Sequence, residues 1–186
     1  MTARLFTFVG GATGAWRILR TEAVLGETLP DAPRLAIHNS RVVSPSAEGR
    51  WLLRGVTSNE RYVTNEERQL LAAKQPPLGR PEAVLAALIP IHKSDAWWSL
   101  TQEDRREIFE TSSRHIKTGL TVLPAVARRL HHSRDLGEPF DFLTWFEYAP
   151  GDSVVFEELV LALRATEEWK YVDREVDIRA VRDSTA

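Results

Sequence analysis

From residue 84 onward the apolar residues change period in a fixed order, and that order restricts the fold more than any other property of this chain. Residues 84–92 form an almost unbroken apolar run of strand length, suited to a buried strand. Helical spacing follows over 101–120, at Ile108, Phe109, Ile116 and Leu120, and Pro124 marks a break. Val126, Arg128 and Leu130 alternate as on a strand, and Phe140, Phe142, Thr144, Phe146 and Tyr148 alternate across the next. Asp152 or Ser153 caps a helix bearing Phe156, Leu159, Val160 and Leu163, and a last strand covers 172–181. The order β-α-β-β-α-β is the ferredoxin-like motif, an α+β arrangement with helices on one face of an antiparallel sheet.

The first half reads as a reduced version of the same motif. Short strands are expected at 5–9 and 51–56, with one further strand near 35–43 among loops carrying Pro30, Pro33, Asn39 and Pro45. Thr64-Asn65-Glu66-Glu67 has capping-box spacing, so a helix should run on through 68–73 until Pro76-Pro77 ends it. Gly79-Arg80-Pro81 is a joint too short for a flexible linker, which makes 1–186 one structural domain with a reduced half (1–80) and a ferredoxin-like half (81–186). Val9-Gly10-Gly11-Ala12-Thr13-Gly14 suggests a dinucleotide loop, but Trp16 stands near the third glycine position and no helix-rich βαβ pattern follows, so a turn is expected there.

Composition removes several classes of function. A net charge of −2 gives no electrostatic footprint for nucleic acid or anionic lipid. The longest apolar run, 83–91, is far short of the roughly 20 residues that cross a bilayer, and the N-terminus lacks the apolar stretch of a secretory signal, which favours the cytoplasm. With no cysteine, the chain has no disulfide, thiolate zinc site, iron–sulfur cluster, thiolate-ligated haem or covalently attached haem.

Among the five histidines, His131 and His132 are strand neighbours on opposite faces, and no H-E-x-x-H pattern is present, which argues against a non-haem metal. His115 lies on a helical stripe with positions 108, 112 and 119, between two small residues, Ser112 and Gly119. A histidine so flanked can reach a flat macrocycle without its neighbours colliding with the ring; a hydrogen-bonded core histidine satisfies the same spacing. Glu168, just past the second helix of the motif, can come near the first helix and accept a second ring N–H from a ligating histidine, or be a solvated helix-end carboxylate with Glu167 as its rival. Arg128 lies on the apolar side of its strand while Arg129 faces outward. A buried guanidinium requires an anion, either a substrate or a structural partner.

Ile89-Pro90-Ile91-His92-Lys93-Ser94-Asp95-Ala96-Trp97-Trp98, Arg114-His115-Ile116, Leu123-Pro124-Ala125-Val126-Ala127-Arg128 and Glu168-Trp169 together resemble the chlorite dismutase family. The likeness extends to Phe8-Val9-Gly10-Gly11 and Gly14-x-Trp16, and the length is that of the short lineage. The resemblance implies a dimeric α+β barrel built of ferredoxin-like halves, binding haem b and converting chlorite to chloride and O₂ through a ferryl and hypochlorite intermediate. It implies His115 as proximal ligand, Glu168 as its hydrogen-bonded partner, Arg128 as the distal arginine, and Asn59, Tyr62 and Trp97 as contacts to the haem propionates. Gln75 would steady Arg128, and His92, where the family commonly has a basic residue such as Arg, is left without a role. The alternatives are a coprohaem decarboxylase or peroxidase-like member of the same superfamily, which usually lacks the distal arginine, and a non-catalytic haem-binding protein.

Overall fold

The computed structural model describes residues 4–39, 49–57, 76–113, 118–119 and 121–183. Its frame is eight antiparallel strands: β1 (Leu5–Gly11), β2 (Trp16–Leu25), β3 (Arg34–His38), β4 (Gly49–Thr57), β5 (Leu85–Lys93), β6 (Val126–His132), β7 (Phe142–Tyr148) and β8 (Val172–Arg182). They close into a barrel in the order β1-β3-β2-β8-β5-β7-β6-β4. Closure at β4 and β6 rests on a short seam, Val56↔His132 and Thr57↔His131. Between β5 and β6 lie α1 (Asp95–Ser99), α2 (Gln102–Arg106) and a π-helical turn (Glu107–Ser112); α3 (Ser153–Arg164) lies between β7 and β8.

Period-two alternation sends one set of side chains into the barrel and the other outward. Phe8, Leu35, Leu53, Leu88, Leu143, Trp145, Val176 and Ile178 fill the interior cluster. On the outside, Ala87, Ile89, Ile91, Val126, Phe146 and Tyr148 receive Phe156, Leu159, Val160 and Leu163 of α3. Those four helical positions follow the i, i+3, i+4, i+7 spacing of one face, and each buried side chain is worth about 1.5–3 kcal/mol over its exposed state. At the far end of α3, Arg164 pairs with Glu175 at 2.6 Å and Asp177 at 3.0 Å, so the helix is held to β8 by charge as well as by apolar packing. Pro90 sits inside β5 at a gap in one ladder: pairing with β8 stops at Leu88↔Ile178 and resumes at Ile91↔Glu175, where the missing N–H costs nothing.

Three expectations are corrected. The stretch after Gly14 is not loop: β2 pairs with β8 from Trp16↔Arg182 to Leu25↔Glu175. Its alternation is hidden by irregularities between Ile18 and Arg20 and between Ala23 and Leu25, each of which resets the face presented. The helix expected over 101–120 is present but not regular: α2, capped by Thr101 and Asp104 in a reciprocal box, runs into the π turn, and residues 118–119 are helical again. The strand expected from Phe140 begins at Phe142, although Phe140 is fully buried in the interior cluster. The glycine-rich segment is a turn, with Gly14 at φ 145°, a conformation glycine adopts without steric cost. Gly10 serves a different need, because a Cβ there would overlap the Trp51 indole. The helix expected over 68–73 lies outside the described residues.

Candidate active site

The site gathers on the outer side of the β5–β8 half, where α1, the π turn and the short turn Glu167–Tyr171 meet the end of β5. β5 ends in a register shift between His92 and Lys93, and this brings Lys93 into the interior of the fold, only 1% exposed. Its Nζ donates to Glu168 Oε1 at 2.7 Å and to the Glu168 carbonyl at 3.3 Å. The same ammonium lies 4.5 Å from the centre of the Trp97 ring and 5.6 Å from that of Trp169. Burial pushes the Lys93 pKa below its ordinary value, and the Glu168 carboxylate opposes that shift. Glu168 is itself 4% exposed, whereas Glu167 is exposed and pairs with Lys170. Of the two glutamates, Glu168 is therefore the buried one and Glu167 the solvated one.

Asp141 secures this corner. One carboxylate oxygen accepts from the Lys93 backbone N–H at 2.7 Å and from Trp98 Nε1 at 3.2 Å. Trp97, on α1, is 2% exposed, leans on Tyr171 at 5.4 Å, and has a buried indole N–H with no hydrogen-bond partner among the described residues. A buried donor left unpaired is costly, so its natural complement is an acceptor carried by a ligand.

Arg128 is on β6 opposite Phe146, in the outward row with Val126 and Leu130, as the alternation predicts. Burial lowers its pKa from the usual arginine range, yet a guanidinium stays protonated in a protein, so this is a desolvated and permanent cation. Gly119 is packed against it: a Cβ on Gly119 would overlap Arg128 Nη1. Arg129 points the other way, into the barrel rather than away from it: in a closed sheet the second face of β6 is also an inside, and Arg129, partly exposed, lines a cavity open on one side.

His115, Asn59, Tyr62 and Gln75 lie outside the described residues. The chain on each side of His115 is nevertheless placed. Ser113 Oγ accepts a hydrogen bond from the Glu168 backbone N–H at 3.0 Å, and Gly119 abuts Arg128. The described residues on either side of 114–117 thus touch Glu168, at Ser113, and Arg128, at Gly119. Here the π turn matters: Ser113 N–H bonds Ile108 O, a five-residue step that moves Ser113 to the buried side and leaves Ser112, the residue expected to flank His115 inwardly, exposed. His92 pairs at the surface with Asp173, Nδ1 to Oδ1 at 2.6 Å, away from this cluster.

Sequence reasoning missed Lys93, Asp141 and Ser113. A lysine closing an apolar strand run was the available signal for the first. The other two are polar residues whose partners lie 48 and 55 positions away, beyond the reach of any local pattern. Among the described residues, no group of three or more His, Asp or Glu side chains is placed to hold a metal ion, and no helix is long and apolar enough to span a membrane.

A closed antiparallel barrel with one helix-covered outer face, carrying a buried Lys–Glu pair and a largely desolvated arginine on that side, defines an α+β-barrel protein. The chlorite dismutase family profile matches residues 34–182, and the chain belongs to that family. It is similar to the solved dimeric chlorite dismutase of Nitrobacter winogradskyi, with 56% identity and a TM-score of 0.88 over 95% of this chain and 99% of that one. It is 40% identical to the chlorite dismutase of Ideonella dechloratans over 86 residues, which are 46% of this chain and 28% of that relative. The W145V variant of the Candidatus Nitrospira defluvii chlorite dismutase, at 20% identity and a TM-score of 0.70 over 98% of this chain and 92% of that one, shares the fold.

Proposed function

We propose that this protein is a haem b enzyme that degrades chlorite to chloride and O₂. The observation that carries the reading is the double anchoring of the chain around His115, by Glu168 at Ser113 and by Arg128 at Gly119, in a member of the chlorite dismutase family. The residues fit the cofactor. His115 would ligate the iron; Trp97 has a buried indole N–H, unpartnered among the described residues, that suits a propionate, and Asn59 and Tyr62 would be further propionate contacts. When bound, haem supplies the iron at which the oxygen bonds of chlorite are broken and made.

The chain's own contribution is electrostatic. The ammonium of Lys93, 2.7 Å from Glu168, stabilises that side chain as a carboxylate. A carboxylate there accepts the second ring N–H of His115, fixes its tautomer and raises its donor strength. Arg128, on the other flank, attracts chlorite; partly shielded from bulk water, its charge acts at higher strength than on the open surface. It also detains the chlorine oxyanion until turnover is complete, so Arg128→Ala should leak hypochlorite to an added trap and bleach the haem faster than wild type.

We read residues 1–186 as one domain whose 81–186 half, with strand order β8-β5-β7-β6 and two helical insertions, is a ferredoxin-like unit, and whose 1–80 half is its reduced counterpart. We expect a homodimer, in line with the dimeric relative, and light scattering measures this directly. The activity is tested with haem-loaded protein in an oxygen electrode. Prompt O₂ release from chlorite is expected, with loss of the Soret band of five-coordinate ferric haem in His115→Ala. No O₂ from a correctly loaded sample excludes the chlorite reading and favours a haem carrier or a coprohaem-processing relative.

A further inference from the structure

β6 carries two cations back to back. Arg128 faces the outer, α3-covered side, and Arg129 faces a cavity of about 360 Å³ in the barrel. Phe6, Phe8, Trp16 and Trp145 give that cavity aromatic walls, so it suits a flat apolar ring.

Among the described residues, two polar groups in it lack partners. The Arg129 guanidinium lies 5.0 Å over the Phe6 ring and makes no hydrogen bond or ion pair among the described residues. Glu147, the acid in the same wall, is already engaged: one oxygen accepts from Trp145 Nε1 at 2.9 Å and the other from Gly79 N–H at 2.5 Å. His131, 1% exposed, donates through Nδ1 to the Leu143 carbonyl at 3.1 Å, since a carbonyl can only accept. Burial, and secondarily the Arg129 charge, lower its pKa to about 4, so the ring is neutral at pH 7. Nε2 is then a buried acceptor, and it has no partner among the described residues.

The two groups stand two residues apart on one strand face, about 7 Å along β6 by the rise of a strand. A ligand satisfying both must offer an anion at one end and an O–H at the other, across roughly one benzene ring. We propose that this cavity is a binding site for a small hydroxylated aromatic carboxylate, whose carboxylate pairs with Arg129 and whose hydroxyl donates to His131 Nε2. The site lies on the opposite face of β6 from Arg128 and is independent of the chlorite reading.

Calorimetric titration of haem-loaded protein with 4-hydroxybenzoate and, separately, benzoate tests it. One 4-hydroxybenzoate per chain is expected, bound about tenfold more tightly than benzoate because only the former satisfies Nε2, and with no Soret shift. Arg129→Gln, a partly exposed change that leaves the core intact, should weaken both ligands at least tenfold; His131→Phe should erase the difference between them. Absence of binding at millimolar ligand, binding that shifts the Soret band, or Arg129→Gln binding as wild type each overturns the proposal.

Discussion

Replacing Lys93 with Met tests how the buried pair at the site is balanced. The two side chains are nearly isosteric, so the change removes the ammonium and little else. What remains is the Glu168 carboxylate, about 5% exposed, without the cation 2.7 Å away. Breaking a buried ion pair from one side costs about 3–5 kcal/mol. At pH 7 the loss has a ceiling, because the carboxylate can take up a proton instead. For a group of ordinary pKa about 4.3 that costs about 2.7 × 1.36, or about 3.7 kcal/mol. Lys93→Met should therefore lose about 3–4 kcal/mol at pH 7 by urea unfolding, and less as the pH falls toward 5, where protonation is cheaper. Adding Glu168→Gln should return much of the loss, since no uncompensated charge is then left behind. If Lys93→Met costs under 1 kcal/mol at pH 7, or if the double variant is no better than the single one, Lys93 and Glu168 are not held as a charged pair.

Three further outcomes are expected. His131 has a folded pKa of about 4 against 6.5 for the ordinary side chain, so the unfolded chain binds more protons between those values: this residue's contribution is complete above pH 6.5 and is lost as the pH falls through that window, by about 3 kcal/mol at its lower end. The measurement is the stability of wild type minus that of His131→Phe at pH 7 and pH 4, and equal losses in both proteins count against it. Gly119→Val should displace the Arg128 guanidinium and reproduce the oxyanion leakage of Arg128→Ala while leaving His115 in the chain, which an added chlorination trap would register. Gly10→Val forces a side chain into the Trp51 indole and should cost about 1–3 kcal/mol by thermal or urea unfolding, with chlorite turnover per folded molecule unchanged.

The second half was legible because its elements obey simple periods. α3 presents Phe156, Leu159, Val160 and Leu163 to the sheet at the spacing the sequence shows, and Arg128 takes the outward row of β6 with Val126 and Leu130. Where a residue is inserted, the reading failed. The π turn carries Ser113 inward in place of Ser112, and the irregularities in β2 leave Trp16, Ile18 and Thr21 as its sheltered residues, a pattern of no single period. Arg128 and Glu168 were found as candidates, but the lysine that makes Glu168 a buried charge was not, since its burial follows from the register shift at the end of β5.

Missing β2 had a consequence beyond one strand. Without it, the β5–β8 unit is an open sheet with one covered face, and every second residue of β6 must look into water. With β2 joined to β8 along its length, and β4 joined to β6, the sheet closes and the second face becomes an interior. The same closure gives Arg129 and His131 a shared enclosure and withdraws His131 from solvent strongly enough to hold it neutral. Two adjacent arginines then serve different surroundings for one geometric reason, the period of two along a strand. A substitution at Arg129 should accordingly leave chlorite chemistry at Arg128 untouched, and one at Arg128 should leave the cavity's ligand preference untouched; coupling between them would require β6 to shift as a unit.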